Sequence, residues 1–129
     1  MGDPDGFPVL WFHGTPGGRL QVPPDAPASA LARGLRLFGV ERPGTGYSTE
    51  HRYGEVREFA ADIRALADSL GLAKFAVAGL SGGGPYTLAC AHDLPDRVVA
   101  LDLVSGLLVV FLVLFKLVMG NKLDAPHPA

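Results

Sequence analysis

"FAVAGLSGGGPYTLACAH", residues 75 to 92, decides how this sequence folds. Small and apolar residues run into Gly79-Leu80-Ser81-Gly82-Gly83, and a segment of helical character follows without a linker. An apolar run closed by glycine predicts a buried strand, here over 74–80, and the residues from Gly82 to about His92 predict a helix. Ser81 stands at the junction between them. In an open parallel sheet, ligands bind beyond the carboxyl ends of the strands, so the junction is also where chemistry is expected.

Working outward, the same pattern recurs on both sides. "PVLWFHG", 8 to 14, reads as a buried strand, and "LRLFGV", 35 to 40, as a second. Between them, "PPDAPASALARG" predicts a helix with Asp25 as its cap, Pro27 in its first turn and Gly34 as its stop. "ERPGTGYSTEHRYGE" is too rich in Gly and Pro to be anything but loop. From Val56 to Leu70, apolar residues recur at helical spacing, with Arg57, Glu58, Arg64 and Asp68 off the stripe and Gly71 closing the helix. Asp93-Leu94-Pro95-Asp96 makes a turn before "VVALDLV", 98 to 104, the fourth strand. Strands alternating with helices predict an α/β fold: about four parallel strands with helices on both faces.

Composition fits this and narrows function. The chain has 129 residues, 48% apolar and 19% charged, with a formal net charge of −2. That is one globular domain with no basic block, so nucleic acid is not an expected partner. The single cysteine, Cys90, reads as a small buried hydrophobe. Four scattered histidines and one cysteine offer no metal site. Neither "GTPGGR" nor "GLSGGGPY" carries the Lys-Ser/Thr of a phosphate-binding loop. No secretory signal opens the chain, and a cytoplasmic location is expected.

At Ser81 the pattern Gly-x-Ser-x-Gly has a physical reason. A sharp turn from strand to helix forces the serine into a strained conformation, and small residues at Gly79 and Gly83 let strand and helix pack closely. The start of the helix then aims free N–H groups at the reacting centre. The Gly82 N–H is the candidate first donor to an oxyanion. The Thr15 N–H, in the "HGTPGG" loop after the first strand, is the candidate second. Each such donor is worth roughly 3 kcal/mol of transition-state stabilisation.

Four motifs in this order resemble the α/β-hydrolase superfamily, in the branch of proline iminopeptidases and epoxide hydrolases. "FHGTPG" resembles the oxyanion loop, and "ERPGTGYS" the Asp-Arg-Pro-Gly-x-Gly-x-Ser turn, with Glu41 in place of Asp. "AGLSGGGPY" resembles the nucleophile elbow and "LPDRVVAL" the approach to the next strand. The resemblance implies a partial core over 1–106, holding the third to sixth of the family's eight strands, with the first hairpin placed before Asp3. It implies acyl transfer from an ester, amide or thioester through an acyl-Ser81 intermediate. Gly82 and Thr15 would be the oxyanion donors, and His13, Gly14, Gly79 and Gly83 would support them. A small acyl compound is the implied substrate, and no cofactor is implied.

A serine needs a base, and the base an orienting carboxylate. In the family both follow later strands. His13 reads as a brace for its loop, His51 as a solvated loop residue and His127 as part of a short tail. His92 lies roughly 15 Å along the helix from Ser81 at 1.5 Å per residue. Asp93, Asp96 and Asp102 are misplaced, Asp62 and Asp68 are solvated, and Glu41 shapes its own turn. The expectation is therefore a truncated hydrolase, weakly active or inactive alone. The alternative is a non-catalytic remnant that binds partners or self-associates through an exposed sheet edge. For the apolar segment and tail, 107–129, three readings stay open: a buried helix, a membrane anchor, or the product of a premature stop or frame shift. Lys116 and the shortness of the run weigh against a membrane-spanning helix.

Overall fold

The computed structural model describes residues 1–104. The expectations for the segment 107–129, His127 among them, fall outside the described residues.

Four strands make one parallel sheet: β1 (Phe7–Phe12), β2 (Leu35–Val40), β3 (Phe75–Leu80) and β4 (Val98–Val104), in the spatial order β2-β1-β3-β4. Three helices connect them: α1 (Ala26–Ala32), α2 (Phe59–Ser69) and α3 (Gly84–Asp93). β1 and β3 pair along Val9↔Ala76 to Phe12↔Gly79, so His13 and Ser81 emerge near each other at the carboxyl ends of the two central strands. The strands fall where the apolar runs predict them: the central β1 and β3 are buried between neighbours, whereas β2 and β4 lie at the edges and β4 is largely exposed among the described residues.

Alternation along the strands gives the sheet two unlike faces. Leu10, Phe12, Phe75 and Val77 join Phe59, Ala60, Ile63 and Ala67 of α2 and Cys90 of α3 in the larger core. Phe59 holds it together at the ring level, meeting Phe12, Tyr53 and Tyr86 edge to face at 4.9 to 6.0 Å. Val9, Trp11 and Ala78 point to the opposite face. There α1 covers the β2 side, and an open apolar trough of about 570 Å³ runs from α1 across to Ala100, Asp102 and Val104 of β4. β4 is an edge strand on which Val99 and Leu101 stay about half exposed. The free edge of β2 is met instead by the first residues: Gly2 makes an antiparallel bridge to Arg36, and Leu37 donates its N–H to the Met1 carbonyl.

Three local expectations need adjustment. Asp25 occupies the cap position of α1, but its backbone is helical (φ −87°, ψ −6°) and its carboxylate makes no capping bond. A capping side chain reaches the first N–H groups from an extended backbone, which Asp25 lacks. The amphipathic segment from Val56 opens as a 3₁₀ turn (Val56–Glu58) before α2, and Ser81–Gly83 likewise form a 3₁₀ turn before α3. The charges off the α2 stripe lie at the surface, Asp68 largely exposed as expected, and they also form ion pairs. Arg57 pairs bidentately with Asp93, Arg64 with Asp96, and Arg97 returns the contact to Asp68. The first pair ties the 3₁₀ turn before α2 to the end of α3, and the other two tie α2 to the turn between α3 and β4.

Candidate active site

Ser81 follows β3 directly and has φ +48°, the one non-glycine residue with positive φ among the described residues. That conformation costs an L-residue roughly 1–2 kcal/mol. What enforces it is the close approach of three elements. A methyl carbon at Gly79 would lie 2.7 Å from the Gly83 carbonyl oxygen and closer still to Thr87 Oγ1. One at Gly83 would lie 2.9 Å from the Phe12 carbonyl carbon and 3.0 Å from the His13 oxygen. Strand β3, the turn after it and the end of β1 therefore touch backbone to backbone, and the chain has no room to leave β3 except through the tight turn at Ser81.

The loop after β1 lies against that turn. A methyl carbon built on Gly82 would stand 3.2 Å from the Thr15 nitrogen, and one on Gly14 would stand 3.5 Å from Ser81 Cβ. The Thr15 N–H donates to no acceptor among the described residues. The Gly82 N–H lies in the first turn of its helix, where intrahelical acceptors are lacking. Ser81, Gly82, Gly14 and Thr15 thus come together at one spot. The Thr15–Pro16 peptide is cis.

His13 is fully engaged elsewhere. Its Nδ1 lies 2.7 Å from the Gly14 carbonyl, which only accepts, so Nδ1 carries the hydrogen. Nε2 is then the acceptor for the Arg42 backbone N–H at 3.4 Å. Burial is the main influence on this imidazole and lowers its pKa, keeping it neutral. With both nitrogens occupied, His13 is a brace for the loop and not a base for Ser81.

Two residues that sequence reasoning overlooked organise the same loop. Arg42 is buried, yet no carboxylate faces its guanidinium among the described residues. It donates to the carbonyls of His13 and Gly14, the latter at 2.9 Å, and to Thr15 Oγ1 at 3.0 Å, and lies 4.8 Å above the Tyr86 ring. Burial lowers its pKa. Gln21 accepts the Gly14 N–H on Oε1 at 2.8 Å and donates from Nε2 to the Pro16 carbonyl at 3.3 Å, while Trp11 Nε1 donates to its backbone oxygen. No local pattern marks Gln21, and Arg42 acts on partners 27 to 29 positions away. The hint the sequence offers for Arg42 is its place in "ERPGTGYS", the turn that resembles the family's Asp-Arg-Pro-Gly-x-Gly-x-Ser.

The other candidates lie apart from Ser81. His51 rests edge-on against Tyr53, and His92 bonds Asp93 at the far end of α3. Glu41 accepts the Tyr47 N–H and the Arg19 guanidinium. The Tyr47 bond leads in lowering its pKa, and the contacts pin the loop turn. Asp62 accepts the Tyr53 hydroxyl. No hydrogen bond joins Ser81 to a histidine or carboxylate among the described residues, and none of these residues forms a cluster of three or more metal-ligating side chains.

Comparison with known proteins agrees with this architecture. The profile of the alpha/beta hydrolase fold family matches residues 8–124, and the chain belongs to that family. A proline iminopeptidase of Neisseria meningitidis is 34% identical over 111 residues, covering 79% of this chain and 33% of its own length. Among solved structures, an alpha/beta hydrolase fold protein from Nakamurella multipartita is 39% identical at a TM-score of 0.67, with 82% of this chain and 36% of that one covered. The epoxide hydrolase CorEH is 29% identical at a TM-score of 0.71, over 82% of this chain and 36% of its own. The chain spans about a third of the length of the curated proline iminopeptidases it matches first.

Proposed function

We infer that this chain carries the nucleophile and oxyanion half of a serine hydrolase acting on an ester, amide or thioester. The observation that carries the reading is the strained Ser81, turned out of β3 beside the free Thr15 N–H and the first-turn Gly82. Ser81 Oγ attacks the acyl carbon, and the Thr15 and Gly82 N–H groups receive the negative charge that develops on the carbonyl oxygen. The leaving group departs with the proton that Ser81 gives up, and water then releases the acid from acyl-Ser81. The base that moves these protons, and its carboxylate, come from outside residues 1–104. An unassisted site keeps a residual rate enhancement of about 10³–10⁴ from its oxyanion donors and binding. Epoxide chemistry fits less well, because a serine sits where the resemblance places an aspartate nucleophile in that branch. A small acyl compound is the substrate class, and the cytoplasm is the proposed location; no helix among the described residues is long and apolar enough to cross a membrane.

The test is acylation by p-nitrophenyl acetate, read as intact mass on the folded chain. Slow addition of one acetyl group at Ser81, absent from Ser81→Ala, supports the reading. Equal acetylation of the variant refutes it.

A second reading has its own observation. The exposed β4 edge beside the apolar trough suits self-association. Sedimentation decides: a concentration-dependent dimer lost on Leu101→Lys supports it, and a monomer at all concentrations removes it.

A further inference from the structure

The oxyanion candidate Thr15 N–H belongs to the same peptide group as the Gly14 carbonyl, and that carbonyl is unusually well served. It accepts from His13 Nδ1 at 2.7 Å and from Arg42 Nη2 at 2.9 Å. The second donor is a full cation, buried, with only carbonyls, one hydroxyl and an aromatic face for company. A buried arginine is ordinarily paired with a carboxylate. Here its field is left uncancelled and falls on two successive peptides, His13–Gly14 and Gly14–Thr15.

We propose that Arg42 is a positioning residue that polarises the Gly14–Thr15 peptide and so strengthens the Thr15 N–H as a donor. Charge drawn toward a carbonyl oxygen by a cationic donor deepens the positive charge on the N–H of the same peptide, as hydrogen bonds in a chain strengthen one another. His13 adds a second, neutral donor to the same oxygen. Arg42 bonds the His13 carbonyl as well, so the Gly14 N–H is polarised alongside that of Thr15, and both differ from the Pro16–Gly17 peptide, whose carbonyl is held by Gln21 and not by Arg42. The functional meaning rests on the oxyanion role given above to Thr15, whereas the polarisation itself does not.

The experiment compares backbone NMR shifts in the full chain and in Arg42→Lys and Arg42→Met. Polarisation requires the Gly14 carbonyl ¹³C and the Thr15 amide ¹⁵N and ¹H to move upfield in Arg42→Met and part of the way in Arg42→Lys. The Gly14 amide moves with them, since Arg42 also bonds the His13 carbonyl, while the Gly17 amide, in the Pro16–Gly17 peptide held by Gln21, stays in place and reports that the loop has not moved. Unchanged Thr15 and Gly14 carbonyl signals in a folded variant overturn the proposal. Movement of the Gly17 amide by as much as the Thr15 amide overturns it too, because the role would then be only structural. If neither variant folds, the scalar coupling across the Arg42 Nη2–Gly14 carbonyl bond in the unaltered chain decides: its presence supports the proposal and its absence refutes it. A parallel acetylation series reads the consequence, about two- to fivefold slower labelling of Ser81 in Arg42→Met. If the unaltered chain is not acetylated at all, the hydrolase reading falls while the shifts still judge the role of Arg42.

Discussion

Replacing Gly83 by alanine tests the packing that creates the Ser81 turn. The added carbon would lie 2.9 Å from the Phe12 carbonyl carbon and 3.0 Å from the His13 oxygen, and closer still to the Phe12 oxygen. All three are backbone atoms at the end of a central strand, and the Phe12 side chain is fully buried, so no rotamer change relieves the contact. Overpacking of this kind costs about 1–3 kcal/mol. At a cost of about 2 kcal/mol and a urea slope of about 1.5 kcal/mol per M, the unfolding midpoint falls by about 1.3 M. Trp11, the sole tryptophan and 7% exposed, gives the fluorescence signal. Gly18→Ala is the control: its added carbon meets nothing nearer than 3.8 Å, and the stiffer unfolded chain stabilises the fold by about 0.4–1 kcal/mol. A Gly83→Ala midpoint within about 0.3 M of the parent, at unchanged slope, refutes the claim that backbone contact enforces the turn.

Other outcomes follow from the same structure. Ser81→Gly relieves the positive φ, so it raises stability by about 0.5–1 kcal/mol in the same denaturation assay while removing acetylation. The bonds from Arg57 and then His92 hold Asp93 at about 2, and the Arg64 bond holds Asp96 at about 2, against an ordinary 3.8. Both carboxyls are depressed in the folded state, so their contribution is complete above pH 3.8 and is lost as pH falls toward 2. An acid titration of thermal midpoints should show that loss, and Asp93→Asn should flatten part of it. Cys90 is fully buried and its thiol is pushed up to about 12, so a thiol reagent should find no group in the native chain and one after urea.

The fold was largely legible because its signals are local. "PVLWF", "LRLFGV", "FAVAGL" and "VVALDLV" are short apolar runs of strand length, and burial on both faces accounts for the central "PVLWF" and "FAVAGL". Position Ser81 was legible for the same reason: a serine between a strand and a helix, with glycine two places to either side, satisfies a local steric demand. What escaped was everything decided at a distance. Asp25 has a capping residue's identity and place, but the backbone before α1 is already helical. Arg57, Arg64 and Asp68 lie off the apolar stripe as the spacing predicts, but their partners Asp93, Asp96 and Arg97 are brought to them only by the fold. Gln21 stands in unremarkable loop sequence and Arg42 in a turn read only for its resemblance, and the folded sheet brings them to the carbonyls and the N–H of the loop at 13–16.

The most direct test of the central claim, that Ser81 is held as a nucleophile facing two oxyanion donors, is labelling with a fluorophosphonate, followed by intact mass and peptide mapping of the adduct. The account predicts a single adduct on Ser81, formed slowly for want of a base among residues 1–104, and absent from Ser81→Ala. A chain shown to be folded by its Trp11 fluorescence that forms no adduct at Ser81, or that labels other serines at the same rate, would contradict it.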